Sequence, residues 1–255
     1  MPRDAHGPLL VRQALAELLG SAGLVTVVVG SGIAAQRLSP HDVGLELLEN
    51  ALVTGAGLVA LVLAFGPVSG AHLNPAITLA DRALGGVTNR QVAAYLPAQL
   101  LGGVLGAVLA NVMYGLDPVG ISGRHRSSGG LWLSELLATF GLVVLVFGLA
   151  RAGRSALTPF AVGAYIMAAY WWSSSTSFAN PMVDVARTLS DTFAGIAPVS
   201  VPMFVVMQAA GAAVAVVAVR VLYPDATGAA ADVVVPHEPS AARRTPPLPA
   251  SDEPR

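Results

Sequence analysis

Six stretches of the chain are apolar over nearly the length needed to cross a bilayer, about 20 residues: roughly 12–35, 45–65, 91–113, 131–150, 157–173 and 200–222. They read as helices, because a segment facing lipid must satisfy its own backbone N–H and C=O groups. The fifth is short and needs anchoring residues at its ends. Glu17 inside the first run, with no small-residue cleavage site before a soluble domain, marks that run as a retained span rather than a signal peptide. Two polar interruptions break the pattern, SGAHLNPAITLA at residues 69–80 and SSSTSFANPMVDVARTLSD at residues 173–191. Asn is a strong N-cap and Pro is favoured as the first helical residue, so Asn74-Pro75 and Asn180-Pro181 each start a helix. Each pair leads into a helical stretch of about ten residues, half a bilayer at 1.5 Å per residue. Residues 69–73 and 174–179 are expected as irregular backbone, tolerated at membrane depth only when buried in protein or lining a watery cavity.

The same landmarks occur twice. Glu17-Leu18-Leu19-Gly20-Ser21 is echoed by Glu135-Leu136-Leu137-Ala138-Thr139, and Gln99-x-x-Gly102 by Gln208-x-x-Gly211. Three spans per half force the second copy to be inverted relative to the first, which puts any shared site near the midplane. The predicted architecture is an all-α membrane protein with six transmembrane helices and two re-entrant half-helices. Repeat one covers about residues 10–115 and repeat two about 130–223. Inversion aims the two half-helix amino ends at each other, each with about half an elementary charge. Two such ends acting on a cation ~5 Å away at an effective dielectric of ~20 raise a barrier of order 3 kcal/mol, whereas neutral solutes feel little of it. The amides of Asn74 and Asn180 can donate to one oxygen of a passing molecule and so interrupt a proton wire.

Composition narrows the function classes. Hydrophobic residues make up 54% of the chain and charged residues 11%, against about a quarter charged in soluble domains. Net charge is −1, so no basic tract points to nucleic acid. Cysteine is absent, which removes disulfides and thiolate sites. No Walker loop, catalytic triad, HExxH helix or carboxylate pair with catalytic spacing is present, so no catalytic residue, metal or cofactor is expected. Arg3, Arg12, Arg82, Arg90, Arg151, Arg154, Arg220, Arg243, Arg244 and Arg255 fall on the side of the termini, against Arg37, Arg124, Arg126 and Arg187 opposite. The positive-inside rule then predicts cytoplasmic termini in a plasma (inner) membrane. Residues 1–9 are expected as a short cytoplasmic segment and 224–255, rich in Pro and small or charged residues, as a disordered cytoplasmic tail.

With its paired Asn-Pro motifs about a hundred residues apart, the chain resembles the aquaporin, or major intrinsic protein, family over roughly residues 10–223. The resemblance implies a homotetramer in the lipid bilayer with one pore per subunit, passing small neutral permeants without turnover chemistry. Glu17 and Glu135 look like the family's buried carboxylates that support the re-entrant loops, and His72 is expected to pack behind the first loop. The second motif departs from the family pattern: where many members carry Asn-Pro-Ala-Arg, this chain reads Asn180-Pro181-Met182-Val183. The filter is expected to comprise Thr54, Ser177, Val183 and one residue of span five. Spacing from Asn180 suggests Ala168 there, while the Gly163 landmark suggests Tyr170. Small residues at three positions predict a filter wider than that of a strict water channel. Such a filter would admit glycerol, urea or metalloid hydroxides such as arsenous acid.

Arg187 shares a helix face with Val183, one turn toward the outer mouth. Either it supplies the missing charge, or it reaches the outer interface or pairs with Asp184 or Asp191. Asp184, expected at the outer mouth or as a cap in the first turn, is also the group a proton-coupled secondary transporter would use. A closed structural member of the family, blocked by Met182 or Tyr170, is the remaining alternative.

Overall fold

The computed structural model describes residues 7–224, so the two terminal expectations lie almost wholly outside the described residues. Eight α-helices succeed one another: α1 (Gly7–Leu38), α2 (Val43–Ser69), α3 (Pro75–Leu84), α4 (Asn89–Met113), α5 (Gly129–Arg151), α6 (Thr158–Trp172), α7 (Pro181–Arg187) and α8 (Val201–Leu222). Five of them are long and apolar enough to span a membrane. The sixth, α6, has 15 residues and is preceded by a 3-10 turn at Ser155–Leu157. This is the short fifth span. Its C-terminal end carries Trp171 and Trp172, both about half exposed, as amphipathic side chains at a membrane boundary would be.

The helix pairings repeat in the two halves. In the first, α1 packs on α4; in the second, α5 packs on α8. The half-helix of each repeat also reaches the last span of the other, α3 on α8 and α7 on α4, while α2 and α6 pack across the halves. Glycine sets how close the first pairing can come. A Cβ on Gly102 would sit 2.2 Å from the Leu18 carbonyl oxygen, and one on Gly211 would sit 2.3 Å from that of Leu136. Each contact falls on the residue after the buried Glu of its repeat, so the Glu and Gln landmarks are drawn together by the helix crossing itself. Gly102 and Gly106 both meet α1, which assigns that small-residue pair to packing within the subunit.

Both Asn-Pro pairs begin helices in the same way. Asn74 and Asn180 have extended backbones, and their side-chain oxygens accept from the backbone N–H of Ala76 and Met182, at 2.8 and 3.1 Å. The half-helices are unequal, however. The first has ten residues, as expected, and closes on Gly85 in the left-handed region; the second stops after seven, at Arg187. Beyond Arg187 the backbone is taken by other partners. Thr188 and Leu189 carbonyls accept from Ser122 and Gly120 N–H, and Asn111 Nδ2 donates to the Leu189 carbonyl. The loop after α4 thus draws the chain out of the helix.

Candidate functional site

The two re-entrant loops meet inside the bundle and are sewn to each other by the Asn side chains. Asn74 Nδ2 donates to the Ala179 carbonyl and Asn180 Nδ2 to the Leu73 carbonyl, each at 2.8 Å. An amide NH2 carries two hydrogens, so each Asn retains a second donor after this cross-link. Both Asn residues also line a cavity that runs past the junction. Aliphatic residues of both repeats line it, among them Leu24, Val28, Leu58, Leu142, Val146 and Ile166. Residues of the two loops and the hydroxyl-bearing Thr54, Thr158 and Tyr170 line it too.

The loops adopt a backbone that ordinary residues avoid. Ala71 and Leu73 in the first, and Thr176, Ser177 and Ala179 in the second, have φ between 46° and 63°. A non-glycine residue in the left-handed region costs of order 1 kcal/mol or more, and such residues persist only where the surroundings hold them. What holds Leu73 and Ala179 is the pair of buried carboxylates, while Thr176 N donates to the Ser173 carbonyl and Ser177 N to Ser175 Oγ. Glu17 accepts from Ser69 Oγ and His72 N through Oε1 at 2.6 and 2.9 Å, and from Leu73 N and Gln99 Nε2 through Oε2 at 2.8 and 2.7 Å. Glu135 accepts from Phe178 N at 2.9 Å, and from Ala179 N and Gln208 Nε2 at 2.8 and 2.7 Å. Both Glu residues are fully buried. His72 also lies behind the loop. Its ring contacts Thr78 Oγ1 at 3.1 Å and Asp81 Oδ2 at 3.3 Å and stands edge-on to Tyr95.

The residues expected of the filter come together in one part of the cavity. Thr54 Oγ1 and Tyr170 Oη lie 3.2 Å apart, and Ser177 and Val183 line the same space. The span-five alternative resolves in favour of Tyr170, which is buried, whereas Ala168 is exposed on the other side of α6. The reason is helical phase. Gly163 packs against Gly55, next to Thr54, and seven residues on is two turns later on the same face. Counting back from Asn180 fails because the intervening loop is irregular. Tyr170 brings an aromatic ring to this part of the cavity, beside three smaller residues. Ser177 Oγ is buried there without a hydrogen-bond partner.

Three expectations about the second motif need correction. Asp184 keeps the first-turn place in α7 expected of a cap but is not at the mouth: it is fully buried and faces Gln208, whose Nε2 reaches its Oδ1 at 3.3 Å. It takes the place that Thr78 holds in repeat one, where Gln99 Nε2 reaches Thr78 Oγ1 at 3.0 Å. A carboxyl turned away from the cavity, behind α7, is badly placed to carry protons for a coupled transporter. Met182 does not plug the passage either; it is buried against Gly103 of α4. Arg187 neither reaches the outer interface nor pairs with Asp184 or Asp191. It is 2% exposed, lines the cavity, donates from Nε to the Ala194 carbonyl, and holds its guanidinium carbon 3.6 Å from the centre of the Phe178 ring. Phe178 is a site residue that the sequence did not single out, although its place two residues before Asn180, matching His72 before Asn74, marks it in retrospect. Among the described residues, no cluster of three or more His, Cys, Asp or Glu side chains has the arrangement of a metal site.

Comparison with known proteins agrees with this architecture. A family model described as Major intrinsic protein matches residues 5–177, stopping just short of the second Asn-Pro pair. Aquaglyceroporin AqpS of Rhizobium meliloti (strain 1021) is 46% identical over 211 residues, which cover 83% of this chain and 90% of that protein. Aquaporin NIP1-2 of Arabidopsis thaliana is 31% identical over 169 residues, 62% of this chain and 56% of that protein. Among solved structures, the X-ray structure of the aquaglyceroporin from Plasmodium falciparum matches with a TM-score of 0.67 at 20% identity, over 85% of this chain and 98% of that one, and so shares its fold. With the inverted pairs of re-entrant half-helices, the interlocked Asn side chains and these matches together, the chain belongs to the major intrinsic protein family and is a multi-pass membrane protein.

Proposed function

We infer that the protein is a passive channel for water and small uncharged solutes such as glycerol. The observation that carries this reading is the mixed lining of the cavity: the hydroxyl- and amide-bearing residues Thr54, Tyr170, Ser177, Asn74 and Asn180 stand among aliphatic ones that include Val183. A polyol is mixed in the same way, with oxygens and C–H groups side by side. It can trade hydration for hydrogen bonds to the polar lining while its carbons rest against the aliphatic one. Water needs the polar groups alone. The relative from Rhizobium meliloti is named an aquaglyceroporin, which supports the solute class.

In this reading Asn74 and Asn180 are the central donors, with Pro75 and Pro181 fixing the helix starts behind them. Thr54, Tyr170, Ser177 and Val183 form the filter, and Glu17, Glu135 and His72 support the loops. Urea and metalloid hydroxides such as arsenous acid share the compact, uncharged, oxygen-bearing character of glycerol and belong to the same permeant class. The channel acts without catalysis as a homotetramer in the plasma membrane, with residues 10–223 as the channel unit and both termini cytoplasmic. The experiment is stopped-flow light scattering on liposomes containing the full chain, shocked with glycerol, urea or arsenous acid. Re-swelling faster than in protein-free liposomes, and unaffected by an imposed proton gradient, is expected. Rates equal to those of empty liposomes for every solute would exclude the function.

A further inference from the structure

Each repeat ties its re-entrant loop to its own half-helix with a ring and a charge. Two residues before Asn74 stands His72 and seven after it Asp81; at the same offsets from Asn180 stand Phe178 and Arg187. His72 Nε2 lies 3.3 Å from Asp81 Oδ2, and the Arg187 guanidinium carbon lies 3.6 Å from the Phe178 ring centre. The device is shared and the sign of the charge is opposite. The exposure of the two charges to the cavity also differs. Asp81 is not in the cavity wall, whereas Arg187 is. Among the described residues, no carboxylate comes within ion-pair distance of Arg187. Its Nε is held by the Ala194 carbonyl and its plane is backed by an aromatic face, which attracts a cation without consuming N–H donors. A guanidinium carries five N–H groups, so donors remain for a solute.

We propose that Arg187 is a specificity-determining residue of this channel, holding a cation on an aromatic ledge one helical turn outward from Val183. The filter therefore has two levels. At the outer level Arg187, backed by Phe178, repels cations and offers N–H donors to the oxygens of polyols and of urea-like carbonyl compounds. At the inner level Val183 meets the apolar flank of the same solutes, while the hydroxyls of Thr54 and Tyr170 meet their oxygens. Separating charge from the narrow ring leaves the ring free of a long side chain while the passage keeps a barrier to cations. The assignment rests on the reading of the cavity as the solute path.

Its test uses liposomes containing the full chain, with glycerol and guanidinium ion as separate permeants. The wild type is expected to pass glycerol and exclude guanidinium. Arg187→Leu should admit guanidinium about twofold faster or more; the half-helix ends keep their own barrier in series, so the gain is smaller than a unit charge about 5 Å away at an effective dielectric of about 20 would give alone. Arg187→Lys should keep the exclusion. A gain of cation flux is a readout that loss of packing alone does not give, provided the variant still passes glycerol and rejects sucrose. Arg187→Leu that passes glycerol yet excludes guanidinium like the wild type would overturn the proposal. If Arg187→Leu does not fold, Arg187→Gln, which retains an N–H for the Ala194 carbonyl, is read in the same way. Failure of both to reach the membrane would mark Arg187 as a packing residue and also overturn it. A wild type that conducts no glycerol would instead refute the channel reading beneath it.

Discussion

Glu17→Ala is expected to leave little folded protein in the membrane. The carboxylate receives four donors, two of them the backbone N–H groups of His72 and Leu73, in a region closed to bulk water. Each backbone donor left without a partner costs about 1–3 kcal/mol. With the Ser69 and Gln99 donors orphaned as well, the loss is several kcal/mol, a large part of the whole stability of an ordinary domain, about 5–15 kcal/mol. The wild type already carries the strain of Ala71 and Leu73 in the left-handed region, so without Glu17 the loop is free to relax out of that conformation. Glu135→Ala should be damaging but milder. Glu135 receives three donors rather than four, and Asp184 stands ready to keep Gln208 occupied. Thermal unfolding of detergent-extracted protein, followed by size-exclusion chromatography, checks both. The expected order of stability is wild type, then Glu135→Ala, then Glu17→Ala; equal stability of all three would mean that the carboxylates do not hold the loops.

Val183→Arg is expected to cut glycerol flux roughly 10- to 100-fold, the range by which a misfit in an apolar pocket discriminates. Val183 is 5% exposed and lines the cavity with Thr54 and Tyr170. A longer side chain there fills the space through which carbon must pass. It also brings a second cation within one turn of Arg187, and like charges at that spacing repel. Water, with no carbon flank to accommodate, should lose far less. Val183→Thr, close to Val in shape, serves as the control for folding and should retain glycerol flux. Stopped-flow rates for water and glycerol, measured on the same vesicles, give the comparison. Glycerol and water slowed by the same factor would show that the ring at Val183 does not sort solutes by size.

Much of this architecture could be read from local chemistry. An Asn-Pro pair declares a helix start whatever the tertiary context, because N-capping and the missing proline N–H are local effects. The matched Glu, Gln and Gly landmarks announced the repeat, and the crossings at Gly102 and Gly211 give their spacing a physical cause. The length of α7 was not legible. Nothing in MVDVARTLSD stops a helix at Arg187; the stop comes from loop residues Gly120 and Ser122 and from Asn111, distant in sequence. The choice between Ala168 and Tyr170 required knowing which face of α6 meets Gly55, a tertiary fact. Asp184 and Arg187 misled for a related reason. A short half-helix has one face toward the cavity and another toward α4 and α8, and sequence alone does not say where its phase begins. Comparing the repeats residue by residue, Asp184 with Thr78 and Phe178 with His72, was the available signal for both.

Cysteine supplies the most direct measurement of whether solute passes between the two interlocked loops. The chain contains none, so Val183→Cys carries a single thiol. Glycerol flux through vesicles bearing that variant is recorded before and after reaction with a small methanethiosulfonate, with complete modification verified by mass spectrometry. If the cavity past Val183 is the path, modification abolishes glycerol flux in the variant and leaves the wild type unchanged. A fully modified variant that conducts glycerol as fast as before would place the path elsewhere and contradict the account.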